Sequence, residues 1–267
     1  MSKHFAFIAL CISPLFSFAA KVDTLMTFSK SMNREIASTI ILPDSYDSLP
    51  TSGVLYPTVY ILHGGGGNHG NWLKRMPQLT SLADKYEMVF VFPDAGAYSW
   101  YLDHPLDPSS QYETYITDEL VNSVECAYRV SRSGTKRAIT GLSMGGHGAI
   151  YLALRQPKMF AAAGSMSGVL DFALFPNRKG MDKFNDIRQH SVAAIAADFN
   201  TELHEAPALI FDCGTEDLFL PSNRSLKAIL ESQNLEFSYS ERKGTHNWNY
   251  WRTSILDHLE FFYILLK

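Results

Sequence analysis

Cysteine is scarce in this chain, which has only three among 267 residues. So few thiols cannot form the disulfide framework of a small stapled domain, and no pair has the spacing of a zinc or redox motif. The nine histidines include no His-Glu-x-x-His motif. We therefore expect no metal site. Cys126 and Cys213 lie in a helical and a strand pattern and are expected to be buried and free, a bond between them being the alternative.

An excess of one charge is also lacking, because 23 Lys and Arg stand against 27 Asp and Glu, a formal net charge of −4. A broad basic surface is therefore not expected, and we predict no nucleic-acid partner. Hydrophobic residues make up 46% of the chain and charged residues 19%. These values are typical of a soluble domain with a sizeable core and argue against disorder. The sequence does not indicate an oligomeric state.

Long hydrophobic runs are missing after the first twenty residues, so no membrane-spanning helix is expected there. A shorter apolar run at residues 5–18 ends in small residues, Ser17 and Ala19, at the spacing of a cleavage site. This pattern is typical of a secretory signal peptide, with a buried N-terminal helix as the alternative. The sequence thus predicts a signal peptide at 1–19, a single domain at 20–267, a secreted or periplasmic location and no stable membrane insertion.

The remaining sequence alternates between strand and helix patterns. Opening strands are expected at residues 22–28 and 34–42, with Asn33 near the turn between them. Further strands are expected at residues 58–62, 88–92, 137–140, 160–166, 208–211 and 237–240. Helices are expected at residues 72–85, 112–128, 144–154, 222–233 and 247–266, and an irregular insertion at 168–205. This alternation predicts an α/β fold with a mostly parallel central sheet and helices on both faces.

The most specific motif is G-L-S-M-G at residues 141–145, a G-x-S-x-G sequence where a strand gives way to a helix. In that context the sharp turn strains the central residue, and the flanking glycines let the backbone pass closely. The hydroxyl of Ser143 would stand at the edge of the sheet. The backbone N–H of Met144, at the positive end of the helix dipole, would point to the same place. We predict Ser143 as a nucleophile and Met144 as an oxyanion-hole amide.

A serine hydroxyl needs a neighbouring base, which in folds with this turn follows the nucleophile and an acid in chain order. His246 lies in a loop between the last expected strand and the last helix, where that base belongs. The other downstream histidines lie in helices or in the insertion: His147, His190, His204 and His258. We therefore predict His246 as the base, and a structural role for His147 and His258.

Three acidic residues follow the strand expected at 208–211: Asp212, Glu216 and Asp217. Asp212 still touches the strand, which favours a structural role. Asp217 lies beyond the glycine turn, on a loop at the edge of the sheet where the nucleophile is expected. We prefer Asp217 and leave Glu216 and Asp212 as alternatives. The acid would hold the imidazole tautomer and stabilise the imidazolium.

A glycine-rich sequence at residues 63–67 follows another expected strand and is similar to the HGGG-type oxyanion element. Glycines let backbone N–H groups approach an oxyanion closely. Gly65 is the preferred donor, with Gly64 as the alternative. No Lys-Ser or Lys-Thr pair follows, so a phosphate loop is not indicated. Trp100 and Tyr101 also follow a strand at this edge, and they are candidate substrate contacts that could instead merely pack.

Together these motifs resemble the esterase D family. The segments that carry the resemblance are H-G-G at 63–65, S-W-Y at 99–101, G-L-S-M-G-G-H-G at 141–148, C-G-T-E-D at 213–217 and G-T-H-N-W at 244–248. The family includes S-formylglutathione hydrolase, tributyrin-type esterases, and the feruloyl and acetyl-xylan esterases of carbohydrate esterase family 1. The resemblance spans about residues 22–262 and implies an α/β-hydrolase fold and no cofactor. The site residues it implies are Ser143, Asp217 and His246 for the triad, and Gly65 and Met144 for the oxyanion hole.

The leading hypothesis is a secreted or periplasmic serine carboxylesterase that forms and hydrolyses an acyl-enzyme. Its expected substrates are small esters or acetyl and feruloyl esters linked to polysaccharide, because an exported enzyme meets extracellular material. Export argues against S-formylglutathione, a cytosolic substrate. A thioesterase of that kind, acyl transfer to a sugar alcohol, and a binding protein that has lost catalysis are the alternatives.

Overall fold

The computed structural model describes residues 20–48, 53–177, 179–181, 184, 186–202 and 204–267. The signal peptide expected at 1–19 lies outside these residues. The strands are β1 (Lys21–Ser29), β2 (Arg34–Leu42), β3 (Thr58–Leu62), β4 (Val89–Pro93), β5 (Arg137–Leu142), β6 (Ala162–Met166), β7 (Ala208–Gly214) and β8 (Phe237–Arg242). They form an eight-stranded sheet in the order β1-β2-β4-β3-β5-β6-β7-β8. Antiparallel pairing is limited to β2 with β1 and β2 with β4, and all other neighbours are parallel, so the predicted mostly parallel sheet is confirmed.

Helices cover both faces of the sheet. They are α1 (Ser45–Ser48), α2 (Asn71–Arg75), α3 (Leu79–Tyr86), α4 (Tyr112–Thr114), α5 (Val121–Ala127), α6 (Met144–Arg155), α7 (Val192–Ala197), α8 (Leu220–Ser232) and α9 (Trp248–Leu266). A π-helical segment, Tyr115–Leu120, joins α4 to α5. The helix predicted at 112–128 is therefore continuous from α4 through α5. In the part of the chain described here, no helix is both long and apolar enough to cross a bilayer.

The continuous apolar run of β3 is explained by burial on both sides. Tyr60 and Leu62 face the core that contains α5, α6 and α8, whereas Val59 and Ile61 face the core that contains α3 and α9. Alternate residues of a strand point to opposite faces, so a central strand of a sheet covered on both faces needs apolar residues throughout. Each such buried side chain contributes about 1.5–3 kcal/mol relative to an exposed one.

Two local predictions are wrong. The single helix expected at 72–85 is two helices, because Pro77 has no N–H to donate and disfavours a helical conformation at the residue before it. Met76 accordingly ends α2 with φ −142° and ψ 74°. Cys126 is exposed rather than buried, since the buried stripe of α5 contains Val121 and Val124 instead. Cys213 is buried, and both cysteines are free, as expected.

The carboxyl ends of the parallel strands meet at one edge of the sheet, where ligands bind in open α/β folds. The connections that leave this edge include the glycine-rich loop after β3, the loop after β4, the turn from β5 into α6, the loop after β7, and the loop between β8 and α9. The candidate residues of the sequence analysis lie in these connections.

Candidate active site

Ser143 occupies the turn between β5 and α6 and has φ 55° and ψ −118°, a backbone conformation that is strained for a residue with a side chain. Its N–H donates to the carbonyl of Met166 at 2.9 Å, which fixes the turn against β6. Gly145 allows the following helix to approach β3, because a Cβ there would lie 2.6 Å from the carbonyl oxygen of His63. The turn therefore presents the hydroxyl of Ser143 at the sheet edge.

His246 links this hydroxyl to a carboxylate. Its Nε2 lies 2.9 Å from Oγ of Ser143, and its Nδ1 lies 2.8 Å from Oδ2 of Asp217. The other oxygen of Asp217 accepts the N–H of Phe219 at 2.9 Å, so the carboxylate is held in one orientation. Because a carboxylate only accepts, the Nδ1 of His246 carries the proton and Nε2 accepts from the Ser143 hydroxyl. The structure thus brings together the three residues that the sequence analysis selected.

The imidazole of His246 is packed edge-on by two aromatic rings. The ring of Phe219 lies 4.9 Å away at 79°, and the ring of Trp251 lies 4.9 Å away at 88°. Asn247 caps the helix that follows, since its side-chain oxygen accepts the N–H groups of Asn249 and Tyr250 at 2.9 and 3.3 Å. The ring position is therefore restricted by these two aromatic contacts and by a fixed helix start.

The glycine loop, defined as residues 63–67, lies beside the nucleophile. A Cβ on Gly64 would come within 3.4 Å of the Cβ of Ser143. The loop, the serine and the imidazole surround a cavity of about 250 Å³. The residues that line it are His63, Gly64, Gly65, Gly66, Gly67, Asn71, Leu142, Ser143, His246, Trp248 and Trp251. Gly65 thus lies at the cavity, and Met144 is buried directly after the nucleophile with 1% exposure.

Trp100 and Tyr101 lie outside the lining of this cavity. Trp100 is 5% exposed and its Nε1 donates to the carbonyl of Lys179 at 2.9 Å. Tyr101 is fully buried, and its hydroxyl donates to the carbonyl of His63 at 3.0 Å. Substrate contact by these two residues stays a prediction, one that their burial does not favour.

Trp248 and Trp251 are site residues that were not among the candidates selected from the sequence. Both line the cavity, and their rings contact each other at 5.5 Å. Their separation of three residues at the start of a helix places them on one side of it, next to His246. That spacing is the sequence signal by which they could have been found.

The other candidate acids and histidines lie elsewhere. Asp212 is buried against His258, and Glu216 is exposed. His147 is fully buried in α6, and burial lowers its pKa to about 4, so it is neutral near neutral pH. Burial also lowers the pKa of His190. Among the residues described, no three His, Cys, Asp or Glu side chains are grouped to hold a metal ion.

Comparison with known proteins places these features in a family. The sequence model of the Esterase family, described as "Putative esterase", matches residues 29–262. An acetyl esterase of Caldicellulosiruptor saccharolyticus is 26% identical over 221 residues, which cover 76% of this chain and 82% of that protein. The structure of a ferulic acid esterase has a TM-score of 0.83 and 28% identity, covering 94% of this chain and 100% of that one.

A further structure shares the fold. An S-formylglutathione hydrolase from Agrobacterium tumefaciens has a TM-score of 0.82 at 21% identity, covering 96% of this chain and 99% of that one. At that identity the likeness establishes the fold alone. The expected α/β-hydrolase fold and the resemblance to esterases of the esterase D type are confirmed.

Proposed function

The chain belongs to the Esterase family and is a carboxylic ester hydrolase, and from that premise we propose that Ser143, His246 and Asp217 are its catalytic triad. The observation that supports this proposal is the continuous hydrogen-bonded series from Oγ through the imidazole to the carboxylate, with separations of 2.9 and 2.8 Å. A nucleophile, a base and an orienting acid in this geometry are what acyl transfer from an ester requires.

The proposed reaction has two halves. Oγ of Ser143 attacks the acyl carbon as Nε2 of His246 takes the hydroxyl proton, and Asp217 stabilises the imidazolium. The amides of Gly65 and Met144 donate to the tetrahedral oxyanion. Collapse breaks the ester bond, and the proton passes from His246 to the departing alcohol. Water then attacks the acyl-enzyme by the same route, releasing the acid and restoring the serine.

The proposed substrates are short-chain acyl esters or acyl groups on carbohydrate. A cavity of about 250 Å³ beside Ser143 corresponds to roughly eight water volumes, which suits a small acyl group. The similarity to an acetyl esterase and a ferulic acid esterase also supports acyl esters of this kind. A secreted or periplasmic location, with cleavage after Ala19, completes the proposal and rests on the apolar run at residues 5–18.

A fluorophosphonate probe tests the triad, because it forms a covalent bond to an activated serine. We expect labelling of the wild type and of Ser232→Ala, which removes an exposed serine of α8, and none of Ser143→Ala. Labelling that persists in Ser143→Ala would overturn the assignment. A panel of p-nitrophenyl acetate and butyrate, methyl ferulate, acetylated xylan and S-formylglutathione then ranks the substrates, and an added alcohol acceptor separates hydrolysis from acyl transfer.

The location has its own test. We expect protein recovered from the medium or periplasm of an expressing bacterium to begin at residue 20 when its N-terminus is sequenced. Protein that stays in the cytosol with residues 1–19 attached would contradict export.

A further inference from the structure

Two consecutive residues near the site, Trp100 and Tyr101, have a left-handed backbone, with φ 57° and 61°. Residues with bulky side chains rarely adopt this conformation, and they keep it only where the surrounding structure imposes it. Neither residue lines the catalytic cavity. The strain therefore needs an explanation other than direct contact with a substrate.

We call residues 95–101 the support loop. One side of it is hydrogen-bonded to the glycine loop. The hydroxyl of Tyr101 donates to the carbonyl of His63 at 3.0 Å, and the N–H of Ala95 donates to Nε2 of the same histidine at 3.1 Å. Because Nε2 accepts, Nδ1 of His63 carries the proton and donates to the carbonyl of Gly64 at 2.9 Å. The imidazole of His63 thus links the support loop to Gly64 through hydrogen bonds.

The support loop also contacts the glycines that follow. The N–H of Gly66 donates to the carbonyl of Ala97 at 2.6 Å. The ring of Tyr98 lies against Gly65, where an added Cβ would be 3.1 Å from Cε1 of that ring. Gly65, whose amide is assigned to the oxyanion, therefore packs against Tyr98 and is followed by Gly66, whose N–H bonds to the support loop.

The other side of the support loop packs on the helix that carries the nucleophile. His147 lies one turn after Ser143, and its Nδ1 is 3.3 Å from the carbonyl oxygen of Trp100. Its ring also packs edge-on against the Trp100 ring at 5.7 Å. The next residue, Gly148, leaves room for Tyr101, since an added Cβ would lie 2.5 Å from that ring. The support loop therefore lies between α6 and the glycine loop and touches both.

We propose that the support loop sets the distance between Ser143 and the oxyanion amide of Gly65, with Tyr101 and His147 as positioning residues. This inference rests on the proposed function, in which that amide stabilises the transition state. Oxyanion donors act through fixed placement, so a small displacement weakens the transition state more than the bound substrate. Trp100 and Tyr101 would then hold the glycine loop and α6 in position and would not contact the ester.

Tyr101→Phe removes only the hydroxyl bonded to the carbonyl of His63. We expect kcat for p-nitrophenyl acetate to fall about tenfold while KM stays within about twofold, the signature of an interaction made in the transition state. Phenylboronic acid, which forms a tetrahedral adduct on an active serine, should bind more weakly by a similar factor. Tyr86→Phe is the control, because its hydroxyl bonds Glu260 at 2.8 Å, a residue of α9 outside the cavity lining.

A second pair of variants keeps the inference testable if Tyr101→Phe folds poorly. His147→Ala removes the ring between the support loop and α6 and should lower kcat in the same way. His147→Phe keeps an aromatic ring against Trp100 and loses the bond to the carbonyl of His190, which lies 2.8 Å from Nε2, so it should restore much of kcat.

Two results would overturn the inference: unchanged kcat and boronate affinity in Tyr101→Phe and His147→Ala, or a rise in KM alone, which would indicate substrate contact. Failure of the triad itself is distinguishable, because the wild type would then not bind the boronate and Ser143→Ala would remain active.

Discussion

The carboxylate of Asp212 lies 2.8 Å from Nε2 of His258, and both side chains are buried. Nδ1 of the same imidazole lies 2.8 Å from the hydroxyl of Thr140, and the hydroxyl of Ser254 also donates to the carboxylate. This carboxylate–imidazole–hydroxyl series repeats the groups around His246, but its hydroxyl is fully buried. It joins α9 to β5 and β7, so its role is to hold the helix that follows the catalytic loop.

Replacing Asp212 and Asp217 in separate variants should distinguish the series that stabilises the fold from the series that acts in catalysis. Burial disfavours the ionised Asp212, yet hydrogen bonds from His258 and Ser254 hold its pKa below its ordinary value, so it is charged near neutral pH. Asp212→Asn should therefore cost about 3–5 kcal/mol of unfolding free energy, because it breaks a buried pair. Asp217→Asn should lower kcat by about 10³–10⁴ and cost less stability than Asp212→Asn, because its partner His246 is partly exposed whereas His258 is fully buried. Urea unfolding and esterase assays test both, and equal stability losses in the two variants would contradict the division.

Acyl-chain preference should depend on Trp248, which walls the cavity and packs edge-on against Trp72 at 5.0 Å. Trp248→Ala enlarges the cavity, so kcat/KM for butyrate relative to acetate should rise, by about tenfold if one further methylene is accommodated. Tyr263→Ala is the control, because it removes an aromatic ring from the same helix near Tyr86 instead. A ratio that does not change would show that the acyl group lies elsewhere.

The features that depend on local sequence pattern could be predicted from the sequence. Residues 59–62 of β3 form a continuous apolar run because both faces of the strand are buried, and the G-x-S-x-G motif specifies its own turn. Chain order and loop position were enough to select His246 and to prefer Asp217 over Asp212. The bounds of most strands followed from the same patterns.

Contacts between distant segments could not be predicted. The bond from Tyr101 to His63 joins residues 38 positions apart, and periodicity contains no information about it. The partner of Asp212 is 46 positions away, so its structural role was only a preference before the fold was known. The helix break before Pro77 and the exposure of Cys126 could have been predicted. Proline disrupts a helix interior, and Cys126 lies outside the apolar stripe of α5.

Stability should decrease in mild acid because of His147. Its pKa is near 6.5 in an unfolded chain and about 4 when buried, so between these pH values the unfolded state binds more protons. The unfolding free energy should therefore fall as the pH is lowered from about 6.5 to about 4, by about 3 kcal/mol for this residue. The lowered pKa values of His63 and His190 act in the same direction.

Urea titrations of His147→Gln between pH 4 and 7.5 check this dependence. The variant cannot take up a proton at this position, so its unfolding free energy should vary less with pH than that of the wild type. His204→Gln, which removes an exposed imidazole, is the control and is expected to keep the wild-type dependence. Identical pH profiles for His147→Gln and the wild type would contradict the assignment.

An added methyl group should lower the unfolding free energy at Gly145 and raise it at Gly70. A Cβ on Gly145 would lie 2.6 Å from the carbonyl oxygen of His63 and 2.7 Å from that of Leu62, both backbone atoms at the end of β3. Since neither can move aside without disturbing the sheet, Gly145→Ala should cost about 3 kcal/mol or more and lower kcat by displacing Ser143. Gly70 has φ −86°, and its nearest neighbour to a Cβ is a side-chain oxygen at 3.5 Å. Gly70→Ala should therefore raise the unfolding free energy by about 0.4–1 kcal/mol, because it restricts the unfolded chain without strain. Chemical unfolding of both variants measures the difference, and a Gly145→Ala protein as stable as the wild type would mean that α6 does not pack this closely on β3.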